Sequence, residues 1–370
     1  MAKIAWVFRS VTVGVFTTKV LSASYNTGRE SQYDTYSPGG LTFTIDNSTN
    51  YVTNFNLADK ITLRDKVPIS SFWQDFYISS IDLNDAGGNG EGSTATITCV
   101  DVLGRLGRVQ MFNKVIATNP TMTQLQTAFT AEMPPGTSIT AVSPGNSDAS
   151  NSAAFSSTIL DRINSNITTE QGTLYQQVGS VLLNGRSTVI QPSGISFNRS
   201  TAGGNEIVYT NLIRKMLGDN YINSFTVTPE NYAAQNAFNT AGQTLYGTYS
   251  SELASVDNST GQALALAQWM VYSRDDPEAL SFTLEFSDIY QDTSDFMIAV
   301  QTANQSYTIN YFNPGSNTPQ TKEQILQGFQ MQMTPEETVF TCFFTPLTFV
   351  NFFTLDSTTL GVLDTSRVAW

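Results

Sequence analysis

The chain has 370 residues, a net charge of −13 and a charged fraction of 13%, about half the usual share in globular domains, while a hydrophobic share of 40% is enough to build cores and excludes a disordered chain. It contains no histidine, which removes Ser-His-Asp and Cys-His catalysis and every histidine-ligated metal. Its two cysteines, Cys99 and Cys342, are too few for a four-cysteine zinc site or an iron–sulfur cluster.

The N-terminus, Met1 to Trp6, lacks the apolar run of a signal peptide. Strand patterns follow at once. Leu41, Phe43 and Ile45 interleave with Thr42, Thr44 and Asp46, and Ala95, Ile97 and Cys99 interleave with Thr96 and Thr98. This period of two marks half-buried strands, and threonine suits their polar faces. Asp85 to Ser93 is a glycine-rich hairpin tip between two such patterns. Helical spacing then appears. Met122, Leu125, Phe129 and Met133 form one stripe, opened by Asn119-Pro120 and closed by Pro134-Pro135-Gly136. Phe155, Ile159, Leu160, Ile163 and Ile167 form a second. Ala141 to Ala153 and Arg199 to Asn205 read as loops, the latter as a domain boundary. Leu212, Ile213, Met216 and Leu217 before Gly218 suggest another helix, and Leu264, Ala267, Met270 and Val271 one more that ends before Pro277. Phe282, Leu284 and Phe286, then Tyr307, Ile309 and Tyr311, return to period two. The expected fold is mainly β with an α+β insertion: a β-barrel-like region at 1–112, an α+β region at 113–200, and a second β-rich barrel region with helices at 201–370.

Several constellations have a functional and a plain reading. Asp82 to Glu91 superficially resembles a calcium loop, but Ala86 occupies a ligand position and Ser93 replaces the closing glutamate, so a solvated turn is favoured. Two carboxylates would suffice for glycoside hydrolysis, but no pair can be selected from sequence, because the required separation is spatial. No Walker-type phosphate loop occurs. Cys99 sits on an apolar strand face and reads as a buried free thiol; a Cys99–Cys342 disulfide would require strands from opposite ends of the chain to meet. The stretch from Val339 to Phe353, with Phe340, Phe343, Phe344, Phe349, Phe352 and Phe353, is broken by Thr341, Thr345, Pro346, Thr348 and Asn351. It is too short for a membrane span and reads as barrel core, so a soluble chain is expected. The 18 Lys and Arg residues are scattered, which argues against nucleic-acid recognition and leaves at most a passive relation, in which like charge keeps DNA from adhering to a wall. No cofactor, metal or catalytic set is expected.

Several segments, taken in order, resemble the tail-tip hub or minor tail proteins of long-tailed bacteriophages, the baseplate hub-like family. Gly28-Arg29-Glu30-Ser31-Gln32-Tyr33-Asp34 is followed by Pro38-Gly39-Gly40 and by Leu41 to Asn47, similar to the family's opening barrel. Cys99-Val100-Asp101-Val102-Leu103-Gly104-Arg105-Leu106 resembles its strand-end Asp followed by a Leu-rich turn. Gly172-Thr173-Leu174-Tyr175 with Asn184-Gly185-Arg186, then Tyr246-Gly247 and Asp276-Pro277, match later elements. Leu355-Asp356-Ser357 through Gly361-Val362-Leu363-Asp364 to Arg367 resembles the closing signature. No lysozyme or peptidase extension is evident.

The resemblance implies two tail-hub barrels per chain and a structural virion protein, not an enzyme. Such a protein forms a tail-tip ring, joins the tail tube to distal tip proteins and passes DNA during ejection. The implied partners are copies of itself as a homotrimer, a tail tube or distal tail protein, a tape-measure protein, and distal tip or fibre proteins. No stable membrane insertion is implied. The implied location is the virion tail tip, after assembly in the host cytoplasm. Arg29 and Asp34 are expected near subunit contacts, and Asp356, Asp364 and Arg367 in an ordered closing segment. The alternative is a host-receptor or glycan-binding tail protein, and a two-carboxylate glycan hydrolase is a third possibility.

Overall fold

The computed structural model describes residues 7–10, 15–16, 20–31, 34–64, 73–86, 91–186, 190–200, 205–216, 221–274, 276, 279–289, 291–302, 305–313, 315–316 and 318–347. The first region is built from β1 (Val7–Ser10), β2 (Val15–Phe16), β3 (Val20–Gly28), β4 (Gly40–Asp46), β5 (Lys60–Arg64), β6 (Trp73–Asn84) and β7 (Thr94–Val100). They follow one another in the order β3-β4-β7-β6-β5-β1-β2, antiparallel throughout. The period-two pattern sets the register. Leu41, Phe43 and Ile45 lie opposite Cys99, Ile97 and Ala95, all buried. On the outer face the Thr44 and Thr96 hydroxyls meet at 3.3 Å. A one-residue slip would turn every one of these side chains to the wrong face.

The middle region holds α1 (Val102–Leu106), β8 (Lys114–Ile116), β9 (Asn119–Pro120), α2 (Thr121–Phe129), β10 (Ser138–Ala141), β11 (Asp148–Ala149), β12 (Ser152–Phe155), α3 (Ile159–Glu170), β13 (Thr173–Gln177) and β14 (Ser180–Asn184). Met122, Leu125 and Phe129 of α2 pack with Ile159, Ile163 and Ile167 of α3 over Val181 and Leu183 of β14. Helix α3 starts where Thr158 and Asp161 form a reciprocal capping box. The two helical stripes are shorter than their apolar spacing suggests. Phe155 belongs to β12 and Met133 follows the helical turn after α2, because a buried strand residue and a post-helix residue can fill the same core as a helix face.

The second barrel is built from strands of the chain's second half. It uses β15 (Gln191–Asn198), β16 (Glu206–Val208), β17 (Asn211–Met216), β21 (Leu280–Ser287), β22 (Gln305–Phe312), β23 (Pro319–Met333) and β24 (Thr338–Pro346). β15 pairs with β22, β22 with β23, β23 with β24, β24 with β21 and β21 with β17. β16 pairs with β15, and a short turn leads from it to β17 at the other end of this run of strands. The helix expected at Leu212 to Leu217 is therefore a strand over Asn211–Met216. Four apolar residues in so short a run fit either period, and a six-residue pairing with β21 decides it. Inside, the Phe286 and Phe340 rings stack at 4.7 Å, and Phe296 from α6 (Ser294–Ala299) meets both edge-on at 5.1 and 5.8 Å.

Between β17 and β21 the chain forms a small unit with its own core: β18 (Ser224–Pro229), β19 (Gln235–Phe238), α4 (Thr240–Tyr246), β20 (Ser250–Ser255) and α5 (Thr260–Ser273). Phe225, Val227 and Ala237 face Ala263, Leu266, Ala267 and Met270 of α5. Thus the structure is mainly β, with two barrels, an α+β insertion between them and this helix-backed sheet. β15 precedes residue 200 yet belongs to the second barrel.

Cys99 and Cys342 are buried free thiols. Burial pushes Cys99 up to about 12 and Cys342 well above its ordinary value. Of the C-terminal aromatics, Phe340 and Phe344 are barrel core; Phe349, Phe352 and Phe353 lie outside the described residues.

Truncating a ring at the centre of the second barrel leaves a cavity among aromatic neighbours. Phe286→Ala is expected to lower stability by about 3–5 kcal/mol, read as a shift in the chemical-denaturation midpoint.

Candidate functional site

The two barrels share one strand. β23 pairs with β22 from Pro319 to Ile325 and with β3 from Gly328 to Met333, while β24 runs along its other edge. The handover falls at Gln327, where the register with β24 shifts. Such a bulge bends the strand and re-aims its side chains. Gly28 lies opposite Gly328 with φ of +82°. A Cβ on Gly28 would sit 2.3 Å from the Gln327 carbonyl oxygen and 2.6 Å from the Gly328 Cα, so both conformation and space demand glycine here.

Arg29 follows directly and is buried. Its backbone N–H donates to the Gln327 carbonyl at 3.1 Å, and its Nε donates to Gln327 Oε1 at 2.9 Å. Nη1 donates to the Asp34 carbonyl at 3.3 Å and Nη2 to the Gly172 carbonyl at 3.5 Å. The guanidinium stands 4.5 Å above the centre of the Tyr36 ring. Gln327 Nε2 donates onward to Thr345 Oγ1 at 2.9 Å. The backbone of Tyr36 is gripped at both its N–H and its carbonyl by the Asn164 amide of α3, each at 3.2 Å. One side chain therefore ties the first barrel, the second barrel and the α+β region together. Arg29, expected near subunit contacts, is buried and makes these bonds within its own chain. Asp34 stays exposed, accepting from the Ser31 N–H at 2.8 Å in a local turn. Asp356, Asp364 and Arg367, with the rest of the expected closing segment, lie outside the described residues.

Beside this joint a cleft of about 100 Å³ opens between the three regions, lined in part by Tyr25, Tyr36, Asp101, Gln176, Gln305 and Gln327. Asp101 is buried. Its carboxylate caps α1 by accepting the Gly104 N–H at 2.8 Å and fastens the start of β4 by accepting the Gly39 N–H at 2.8 Å. The segments Pro38-Gly39-Gly40 and Asp101 to Gly104, singled out in the sequence, meet here. Burial raises this carboxyl from 3.8 to about 7, against the lowering effect of the Gly104, Gly39 and Leu103 amides.

A second polar joint holds the small unit against the α+β region. Glu170 at the end of α3 is fully buried. It accepts from Thr121 Oγ1 at 2.9 Å, the Asn146 N–H at 2.8 Å, the Ser147 N–H at 3.1 Å and the Arg186 N–H at 3.3 Å. Asp257, also buried, accepts from Ser255 Oγ at 2.8 Å. Burial lifts it to about 6, opposed by Ser255, by the nearby Arg186 charge and by Ser147, while Glu170 reinforces the rise. Thr169 Oγ1 accepts the Val256 N–H at 3.0 Å, and Arg162 pairs with Glu230 at 3.4 Å. Sequence reading missed Gln327, Glu170 and Asp257; the only signal for them was the family-like context of Gly172 and Arg186. Among the described residues no group of three or more His, Cys, Asp or Glu is placed to hold a metal, and no helix is long and apolar enough to cross a membrane.

No protein-family model matches the chain, and no curated protein matches it. Solved structures do match along nearly its whole length. The tail protein from Neisseria meningitidis MC58 aligns with a TM-score of 0.64 and 10% identity, over 94% of this chain and 98% of its own. The 43 kDa tail protein of prophage MuSo2 from Shewanella oneidensis aligns at 0.60 and 9% identity, over 93% and 99%. An E. coli component of the type VI secretion system, described as similar to the T4 bacteriophage tail proteins gp27 and gp5, aligns at 0.54 and 7%, over 92% and 77%. The chain has the fold of these tail proteins.

Two tests follow from the joint. Gly28→Ala is expected to destabilise the protein and to weaken the β3–β23 pairing, seen as faster amide exchange at Phe329 and Met331 than in barrel strands away from it. For Asp101, the folded-state value is raised, so the stability it confers is present at low pH and is lost as pH rises from about 4 through about 7. Asp101→Asn keeps an oxygen acceptor and removes the titration. Denaturation midpoints of the variant should therefore depend less on pH across that window than those of the parent.

Proposed function

We propose that the chain is a structural component of a bacteriophage tail, the hub of the tail tip. Three copies form a ring that joins the tail tube or a distal tail protein to distal tip or fibre proteins, meets the tape-measure protein and lets DNA pass during ejection. The observation that carries this reading is the likeness to tail proteins over more than nine-tenths of the chain. The barrels support the copy number. Each chain brings two, contributed by the region 1–112 and by the region 201–370 together with β15, with the rest of the α+β region of 113–200 beside them. Three chains then offer six barrel positions around one axis, and closure of a ring satisfies surfaces that would otherwise pair without end.

The reading assigns no chemistry to the chain. The charge of −13 suits a conduit that repels phosphate. Asp34, exposed beside the Arg29 joint, is placed by this reading near the neighbouring subunit, and Asp356, Asp364 and Arg367 in the closing segment.

Imaging of the intact particle tests the proposal. Three copies in a ring on the tail axis are expected. Six copies in one ring, or a single copy off the axis, would overturn it, and hydrolysis of host wall glycan by pure protein, abolished by one Asp or Glu substitution, would overturn the non-enzymatic role.

A further inference from the structure

The cleft between the three regions is lined by glutamines with spare acceptors. Gln74 of β6 and Gln301 beyond α6 are only 4% and 9% exposed, and both line it. The Gln74 Nε2 donates to the Val178 carbonyl at 3.4 Å, and the Gln301 Nε2 to the Met297 carbonyl at 3.2 Å. Gln176 of β13 spends its Nε2 on the Asp75 and Val178 carbonyls, at 3.3 and 3.2 Å. These bonds fix which end of each amide is nitrogen, since a flipped amide would set oxygen against oxygen. Among the described residues none donates to the three remaining oxygens. Gln305 Oε1, at the start of β22, is buried and lacks a partner as well. The first barrel, the α+β region and the second barrel thus each bring an amide oxygen to one cleft.

A buried acceptor without a donor is costly, and a ligand that donates offsets that cost. The lining selects the ligand's charge. It contains no Lys, Arg or Glu, and its one carboxyl is Asp101. A phosphate or carboxylate would find no cation there. Tyr25, Tyr36, Tyr175, Tyr307 and Phe329 supply aromatic surface, and a ring face attracts a cation. Sugar hydroxyls accept as well as donate, whereas ammonium and guanidinium groups only donate. The chain already holds one such group by this chemistry. The Arg29 guanidinium stands over Tyr36 and donates to Gln327 Oε1 and to two carbonyls, and Tyr36 and Gln327 also line the cleft. A volume of about 100 Å³ takes a cationic head and the first carbons of its stem. The net charge of −13 favours the approach of a cation. We propose that the cleft binds a primary ammonium or guanidinium group through the oxygens of Gln74, Gln176, Gln301 and Gln305 and the aromatic rings beside them. The group comes from a free amine or from a basic side chain of a neighbouring protein. The Arg29 charge opposes a second cation, so the affinity expected for a free amine is millimolar. The inference goes beyond the ring-forming role and does not depend on it.

Ligand-observed NMR with the full-length chain tests it. Butylammonium and butylguanidinium should bind saturably in the millimolar range, and butanol and butyrate, of like stem, about tenfold more weakly or not at all. Gln74→Leu combined with Gln301→Leu keeps the side-chain size and removes two acceptors. It should weaken butylammonium binding by about tenfold or more. Gln305→Glu keeps an oxygen and adds a negative charge, so it should tighten butylammonium binding and leave butanol unchanged. That gain cannot come from misfolding. A lysine-bearing tripeptide and its glutamine counterpart separate the two sources. Binding of the lysine peptide as tight as that of butylammonium assigns a partner's side chain, and exclusion of the peptide while butylammonium binds assigns a free amine. Butanol bound as tightly as butylammonium, a double variant that binds like the parent, or no saturable binding of either cation overturns the proposal. The tail-protein reading, which rests on the fold, stands in each of these cases.

Discussion

The structure turns on the point where β23 passes from one barrel to the other. A strand with two neighbours along one edge must release the first before it can bind the second, and the released backbone groups need other partners. Here the bulge at Gln327 makes the break. The Arg29 N–H takes the Gln327 carbonyl at 3.1 Å, and the Arg29 guanidinium takes its side-chain oxygen at 2.9 Å. The close crossing of Gly28 and Gly328 lets two backbones approach where any side chain would hold them apart. The barrels are thus joined by a continuous sheet and not by a hinge. The Gly172 carbonyl and the Tyr36 ring, both on Arg29, extend the joint to the α+β region.

The cores and the joints are made of different chemistry. The barrels are filled by aromatic and aliphatic rows such as Phe286, Phe296 and Phe340. The seams between regions carry buried polar groups: Asp101 against the Gly39 and Gly104 N–H groups, and Thr169 against the Val256 N–H, while Glu170 gathers four donors within the α+β region beside the second seam. Apolar burial has no direction and would let packed bodies slide. A buried carboxylate that must keep its donors permits one arrangement, because an unsatisfied donor or acceptor in a low-dielectric seam is costly.

The elements that depend on local pattern were legible in the sequence. Threonine alternating with Leu41, Phe43 and Ile45 fixes a strand and its inward face before any partner is known. The helices that start at Thr121 and Ile159 follow from their spacing and punctuation. Asp101 followed by Leu103 and Leu106 resembled a strand end before a Leu-rich turn; the strand end is there, and the turn is a short helix over Val102–Leu106. What failed was whatever another part of the chain decides. Leu212 to Met216 reads equally well in two periods, and only its pairing with β21 settles it. Arg29 stood out as a charge in a weakly charged region, and its bond to Gln327, 298 residues away, is set by the fold and is not written in its own neighbourhood. Glu170 and Asp257 looked like any other acidic residues because burial is a property of the assembled seam. The resemblance to tail proteins was readable in the order of short motifs, while the glutamines that line the cleft matched none of them.

The pairing of Gly28 with Gly328 also orders events in time. β3 is made among the first residues, yet one of its edges has no partner until nearly the whole chain exists. At about 5–20 residues per second, the ribosome leaves that edge waiting for roughly 15–60 s. During that interval a nascent neighbour offers the same β23 sequence as the chain's own later segment, and exchange between chains competes with closure. For a protein produced in many copies at once, the spacing of ribosomes on its message then bears on how many chains close on themselves.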